Sequence, residues 1–361
     1  MAKDLSQSNA IQLTLKEWAV VGTTLAFMYA VCPVLWSHLE TWQPTPSYRI
    51  PYASSHDYWQ VERYWDWAGR CEGCLVVGDS VVWGEYVSPP DTLSAQMQQL
   101  TGKPFLNMGL NGSHPACMAG LIQWYGKNVR GKDVLLHFNP LWMSSSRHDL
   151  TESKEFRFNH PKLVPQFFPR IPCYKESLEN KIGIVAQRFF WPSRWLAHLA
   201  SVYFDELDLG SWIREHPTEN PLSQIGFQLP VPEEEPRHPQ RPWTESGVAV
   251  TSFDWVVPSE SIQWRLFQRS VDILEDRGNR VFVLVGPFNV HMLAQDSTEG
   301  YERILEEATS WLERREISYL VASPLPKDCY GDASHPLPEG YRQLAREVLS
   351  AMEAQRMGGM G

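Results

Sequence analysis

Ser80 sits in Gly78-Asp79-Ser80, directly after the apolar run Cys74-Leu75-Val76-Val77; far along the chain, Asp332 and His335 stand three apart in Asp332-Ala333-Ser334-His335-Pro336. A serine hydroxyl is a poor nucleophile until a base takes its proton and a third group holds that base in place. On a single helical turn, a carboxylate three residues before a histidine shares its face. Asp332 can then orient His335 while the other ring nitrogen points at Ser80. The attacked carbonyl also needs donors for the charge that gathers on its oxygen, and a glycine N–H and a side-chain amide are suitable. Gly112, ending Asn107-Met108-Gly109-Leu110-Asn111-Gly112, and Asn139, in His137-Phe138-Asn139-Pro140, follow apolar runs just as Ser80 does. Together these residue types suit the making and breaking of an acyl-serine.

Something must bring such distant residues together. Short apolar runs at 74–80, 104–110, 133–139, 280–286 and 317–323 alternate with helical periodicity at 92–100, 118–129, 262–277, 301–314 and 338–352. Strands that are apolar without alternation are covered on both faces, which predicts a parallel sheet with helices on each side. In such sheets ligands bind beyond the carboxyl ends of the strands, where all five residues are expected. The domain divides into a first part, 71–142, and a second part, 259–356, around an insertion at 143–258. Within the insertion, 178–207 reads as helix interrupted at Pro192, and 229–243 as a proline-rich loop. Residues 357–361 read as a frayed tail.

The N-terminus follows other rules. Residues 18–37 carry no charge, enough for a helix to cross the hydrocarbon, with Trp18 and Trp36 near the two interfaces. Leu35-Trp36 is unlike a small-residue cleavage site, so 1–40 is expected to be a tail and an uncleaved, single-pass transmembrane anchor. A core helix is the alternative, since Gly22, Thr23, Thr24 and Pro33 temper the run. Lys3 and Lys16 precede the span and Arg49 is the first Lys or Arg after it, which favours an extracytoplasmic (periplasmic) domain. Residues 41–70, opening with a Pro-, Ser- and Tyr-rich stretch, read as a linker off the bilayer.

Composition narrows the partners. With 32 Lys and Arg against 42 Asp and Glu the formal charge is −10, and no basic block is present, which argues against nucleic acid. Cys71 and Cys74 lack the second pair that a zinc site wants, and in extended chain they lie too far apart for a disulfide.

Gly78-Asp79-Ser80 with the following Val81 to Val87, the block ending at Gly112, and Asp332-x-x-His335-Pro336 with Glu339-Gly340-Tyr341 resemble, in order, blocks of the SGNH (GDSL-type) hydrolase family. The resemblance implies an α/β fold, a flavodoxin-like three-layer α/β/α sandwich around a parallel sheet, acting on esters with no metal or organic cofactor. It implies Ser80 as nucleophile, His335 as base, Asp332 as its orienter, and Ser80 N–H, Gly112 N–H and the Asn139 amide as oxyanion donors. The α/β-hydrolase elbow G-x-S-x-G is absent, since Val82 stands where its second glycine would be. The family's third block usually reads Gly-x-Asn-Asp; here only the asparagine remains. Asp79, His137, His114 and Asn289 are further candidates for substrate binding, with space filling or loop polarity as the bland alternative. Three functions fit: a serine esterase on O-acyl, chiefly acetyl, esters of carbohydrate; an O-acyltransferase working on an exported polysaccharide beside a membrane-bound O-acyltransferase; and a non-catalytic accessory subunit of a membrane complex. The insertion's Phe189, Phe190, Trp191, Trp195, Tyr203 and Phe204 suit a lid, a bilayer contact with Lys181, Arg188 and Arg194 toward headgroups, a partner surface, or a small private core.

Overall fold

The computed structural model describes residues 13–42, 44–45, 48–157 and 165–358. Lys3 and the last three residues of the tail lie outside them. Five strands, β1 (Cys74–Gly78), β2 (Phe105–Gly109), β3 (Asp133–Phe138), β4 (Arg280–Val285) and β5 (Ser318–Val321), pair in parallel in the order β2-β1-β3-β4-β5. The helices are α1 (Leu15–Leu39), α2 (Tyr58–Arg70), α3 (Ser80–Trp83), α4 (Leu93–Thr101), α5 (Pro115–Trp124), α6 (Leu178–Phe189), α7 (Trp191–Tyr203), α8 (Leu209–Glu215), α9 (Ile262–Asp276), α10 (Thr298–Arg314) and α11 (Pro338–Gly358). All five expected strands are present. The helix expected over 118–129 begins earlier, because Pro115 presets the first helical φ and the His114 side chain caps it by accepting from Cys117 N–H.

The unbroken apolarity of the strands has a direct cause. Leu75, Val77, Leu106, Met108, Val134, Leu136, Val283 and Val285 pack beneath α2, α5, α9 and α10. Their neighbours Cys74, Val76, Phe105, Leu135, Phe282 and Leu284 pack beneath α3, α4 and α11. Each fully buried large apolar side chain contributes roughly 1.5–3 kcal/mol, so both helical layers are needed. In α11 the fully buried Tyr341, Leu344, Ala345 and Val348 form a stripe that pins the helix just after His335.

The described residues of 41–70 do not form a linker. Tyr58, Val61, Tyr64, Trp65 and Ala68 of α2 share one apolar face and belong to the core, together with Tyr48 and Ile50. Arg49 is wholly buried; it donates to the carbonyls of Trp83 (3.2 Å), Gly84 (2.8 Å) and Val87 (3.0 Å) and lies 4.0 Å from the centre of the Trp83 ring. This segment therefore clamps the chain that leaves Ser80. Cys71 and Cys74 form no disulfide with each other, and Cys74 opens β1.

Among the described residues the insertion packs largely against other elements, with Phe204 on Trp212 as a small buried pair of its own. Its Leu150, Ile171, Cys173 and Tyr174 pack against Ala116, Ala119, Ile262 and Leu266, and Asp149 accepts from the N–H groups of Ile262 (3.1 Å) and Gln263 (3.2 Å) at the start of α9. Trp195 and Tyr203 set their rings against Trp36 of α1, while Phe204 packs on Trp212. Arg188 and Arg194 do not face outward: both are buried, Arg188 over Trp124 and Arg194 paired with Glu62 at 2.5 Å. Guanidinium groups drawn under a helix toward aromatic rings and a carboxylate cannot also meet headgroups.

Helix α1 is long and apolar enough to cross a membrane, with a mean hydropathy of 1.7 over its best window, of which 6% is buried. Its start is closed by a capping box between Thr14 and Glu17. Only Pro33 and Trp36 of the helix are buried, and its ring contacts with other elements lie in its second half, at Tyr29 and Trp36.

Candidate active site

Strand order reverses at β1, which pairs with β2 on one side and β3 on the other; the loops leaving β1 and β3 diverge and open a crevice between them. Ser80 opens the short helix α3, immediately after Asp79, whose side chain caps it by accepting from Val81 N–H (2.9 Å). Gly78 has no substitute here: a Cβ would come within 2.3 Å of Val82 Cγ2 and 2.9 Å of His137 Cβ. Gly112 has φ +66°, the left-handed region that favours glycine.

His335 reaches Ser80 from the opposite edge of the sheet. The loop after β5 is carried back across the strand ends by the loop after β4: Asn289 donates through Nδ2 to Asp332 O (3.0 Å) and through its N–H to Ala333 O (2.8 Å). His335 Nε2 lies 2.8 Å from Ser80 Oγ, and His335 Nδ1 lies 2.8 Å from both carboxylate oxygens of Asp332. The segment is not the expected helical turn. Asp332 Oδ1 instead accepts from the N–H groups of Ser334 and His335 (2.9 Å each), an Asx-type turn that brings the same two side chains together.

Burial works against a charged His335 ring, but the Asp332 charge and hydrogen bond outweigh it, with Glu85 and Asp79 adding to them, and lift its pKa to about 9. Burial likewise pushes Asp332 up, and His335 and the two N–H donors bring it below the ordinary carboxylate value.

Ser80, Gly112, Asn139, Asp332 and His335 line one cleft of about 380 Å³. Asn139 Nδ2 donates to Asp79 Oδ2 (2.9 Å) and, at 3.3 Å, to Ser334 Oγ. The four further candidates do not line that cleft. Asp79 lies beneath it, accepting also from Trp142 Nε1 (2.8 Å). Burial would raise its pKa, but His137, Asn139 and His335 hold it well below the ordinary value. His137 precedes Asn139 by two residues on the same strand face and so sits one step deeper. Its Nδ1 is 3.2 Å from Asp79 Oδ1, off the line of a hydrogen bond, and neither ring nitrogen has a hydrogen-bond partner among the described residues. His114 is the buried cap of α5, and Asn289 supports the Asp332 loop.

Several lining residues were not anticipated. Glu85, Tyr86 and Asn111 lie inside the sequence blocks that flank Ser80 and Gly112, which was a usable signal; Leu141 and Trp142 follow Asn139 closely. Tyr52, His148, Arg237 and His238 gave none. The last two come from the proline-rich loop: Arg237 lies 3.1 Å from the centre of the Tyr52 ring, and His238 Nε2 is 3.0 Å from Glu85 Oε1 with its ring tilted against Tyr86 at 5.0 Å. The insertion thus reaches the cleft through this loop and through His148, and not through its aromatic helices. A larger surface cleft of about 620 Å³ between α9 and α10, lined by Trp264, Arg303 and Trp311 among others, holds neither a serine–histidine pair nor an activating carboxylate on an imidazole. Volume therefore does not select the site.

No family model and no curated protein matches the chain. Solved structures that match include a chain described as a lipolytic protein of the G-D-S-L family from Desulfitobacterium hafniense DCB-2, 9% identical, with 77% of this chain and 98% of that one covered and a TM-score of 0.34.

Proposed function

We propose that the protein is a membrane-anchored serine esterase of the SGNH type, held by α1 with its cleft outside the cytoplasm and acting on O-acyl esters of carbohydrate. One observation carries this reading: Ser80 Oγ, the two ring nitrogens of His335 and the Asp332 carboxylate form an unbroken line of 2.8 Å contacts at the wall of a cleft. The sheet order 2-1-3-4-5, which flavodoxin-like folds share, supports the fold assignment.

The chemistry follows from the contacts. Ser80 Oγ bonds to the ester carbonyl carbon as its proton passes to His335 Nε2; the alcohol departs with that proton, and water repeats the sequence to release the acid. The N–H groups of Ser80 and Gly112 and the Asn139 amide receive the oxyanion. Asn139 gives up its long contact to Ser334 for this purpose and keeps the shorter one to Asp79, which holds the amide in place. Tyr52, Tyr86 and Trp142 offer ring faces and Asn111, Glu85, Arg237 and His238 offer hydrogen bonds, the mixture that sugar rings and hydroxyls require.

A serine-reactive fluorophosphonate tests the reading. Stoichiometric modification that Ser80→Ala abolishes is the expected result; a folded protein left unmodified would favour an accessory subunit. Hydrolysis of an acetyl ester that yields to transfer when an oligosaccharide acceptor is added would favour the transferase.

The pH dependence is a second check. Base catalysis needs the neutral ring, and with its pKa lifted to about 9 from 6.5 His335 is mostly charged at neutral pH. Between about pH 6 and 8, kcat/KM is expected to rise about tenfold per unit and to level near 9. A profile flat over that interval would mean that the ring is already neutral there and that its pKa is not raised.

A further inference from the structure

The helical hairpin of α6 and α7 stands beside the last turns of α1, and its tip points back along that helix. Trp195 and Tyr203 lie against Trp36, at ring separations of 5.8 and 5.7 Å, whereas Phe190, at the start of the hairpin's second arm, meets Tyr29 at 6.5 Å. Tyr29 precedes Trp36 by seven residues, roughly 10 Å along the axis at 1.5 Å per residue. If Trp36 marks the interface, as tryptophans near the ends of a span do, the tip lies beneath it.

The outward surface of the hairpin is suited to that depth. Leu178, Ile182 and Phe189 occupy one face of α6 and are 66, 54 and 66% exposed, and Phe190 is 52% exposed at the tip. Between Lys181 and Arg194 the single charged residue is Arg188, which is buried. Glu179 is exposed beside Leu178, but from Ile182 to Phe190 the exposed apolar side chains meet no exposed charge, and such a patch marks a surface that is covered in use. Contact with the exposed α1 helix continues that patch onto the span itself and indicates what covers it.

We propose that the tip of this hairpin is seated in the acyl–headgroup boundary of the bilayer that α1 crosses, giving the protein a second, monotopic membrane contact. The inference rests on α1 being the membrane anchor. The end of α1 is tied to the domain through Trp36 and Glu40, and a second contact beside the span fixes the bearing of the cleft relative to the surface.

Photocrosslinking of the full chain in vesicles of phosphatidylcholine and phosphatidylglycerol tests this. p-Benzoylphenylalanine is placed singly at 189, at 182, at 25 within α1, and at 100, where Leu100 is exposed on α4, the helix that covers the sheet face opposite α2. Lipid adducts at 189 and 182 are expected to match those at 25 and to exceed those at 100 roughly tenfold, as the partitioning of a large apolar side chain implies. Adducts at 25 with only background at 182 and 189 would overturn the hairpin contact and leave the anchor standing. Background at 25 as well would overturn both. Crosslinks from 189 to a protein in place of lipid, seen in native membranes, would also overturn the inference and make the patch a docking face.

Discussion

Alanine at His335 is expected to lower the rate of ester cleavage by roughly 10⁴ or more, and alanine at both Ser80 and His335 to lower it no further than the more damaging single change. The reason lies in the single proton path. With His335 absent nothing else among the described residues stands at 2.8 Å from Ser80 Oγ to take its proton, so the hydroxyl reverts to a poor nucleophile; with Ser80 absent the imidazole has nothing to activate. Residues that act as one unit cannot be lost twice. Asn at Asp332 should cost less than Ala at His335, because the ring remains, but it removes the largest influence that lifts the pKa of His335. The plateau of kcat/KM should therefore move to lower pH in Asp332→Asn. Steady-state kinetics on an acetyl ester read all three quantities, and losses that add between Ser80 and His335 would sink the shared path.

The residues on that path were legible in the sequence because each sits beside a strong local signal. Ser80, Gly112 and Asn139 follow apolar strands, and Asp332 and His335 precede a helix with a complete apolar stripe. What the sequence concealed are residues whose partners lie elsewhere in the chain. Arg49 stands in a stretch rich in Pro, Ser and Tyr, and nothing local shows that it will be buried against carbonyls 34 to 38 residues away. His137 and Asn289 were expected in the cleft because both follow or end strands. A strand end sets the direction of a side chain but not its depth, and both lie below the cleft floor, bracing Asp79 and the Asp332 loop. The helix at 58–70 escaped for a related reason: its aromatic face is complete, but the composition of the preceding segment made the whole read as a tether.

His198 is the clearest such case, and its removal is expected to have the largest effect on stability. The ring is fully buried in α7, with Nδ1 2.6 Å from Asp57 Oδ2 and Nε2 2.8 Å from Glu40 Oε1. Asp57 caps α2 by accepting from Trp59 and Gln60 N–H, and Glu40 also meets Arg63 at 2.5 Å, Tyr203 Oη at 2.8 Å and Trp36 Nε1 at 3.1 Å. One imidazole therefore ties the end of α1, the start of α2 and the insertion. Burial lowers the pKa of His198, but the charge and hydrogen bond of Asp57, followed by those of Glu40, exceed it and raise the value to about 9 from 6.5.

His198→Ala would leave two buried carboxylates facing one another with Arg63 alone to balance them, a loss of about 3–5 kcal/mol. Linkage gives a similar figure by a separate route. A pKa raised by folding stabilises the native state fully below the unfolded value and loses that contribution as pH rises through the folded one, here from about 6.5 to about 9, amounting to roughly 3 kcal/mol. His335 titrates over the same interval, so the pH slope of the native protein carries both rings. Denaturant unfolding in detergent separates them: between about pH 6.5 and 9 the slope should shrink in His198→Ala and again in His335→Ala, each by about one proton. Adding Glu40→Gln to His198→Ala should restore part of the stability, since it removes the charge that the lost ring had balanced. A loss in His198→Ala that is the same at both ends of the pH interval, and that Glu40→Gln does not relieve, would mean that the ring fills space there and carries no charge.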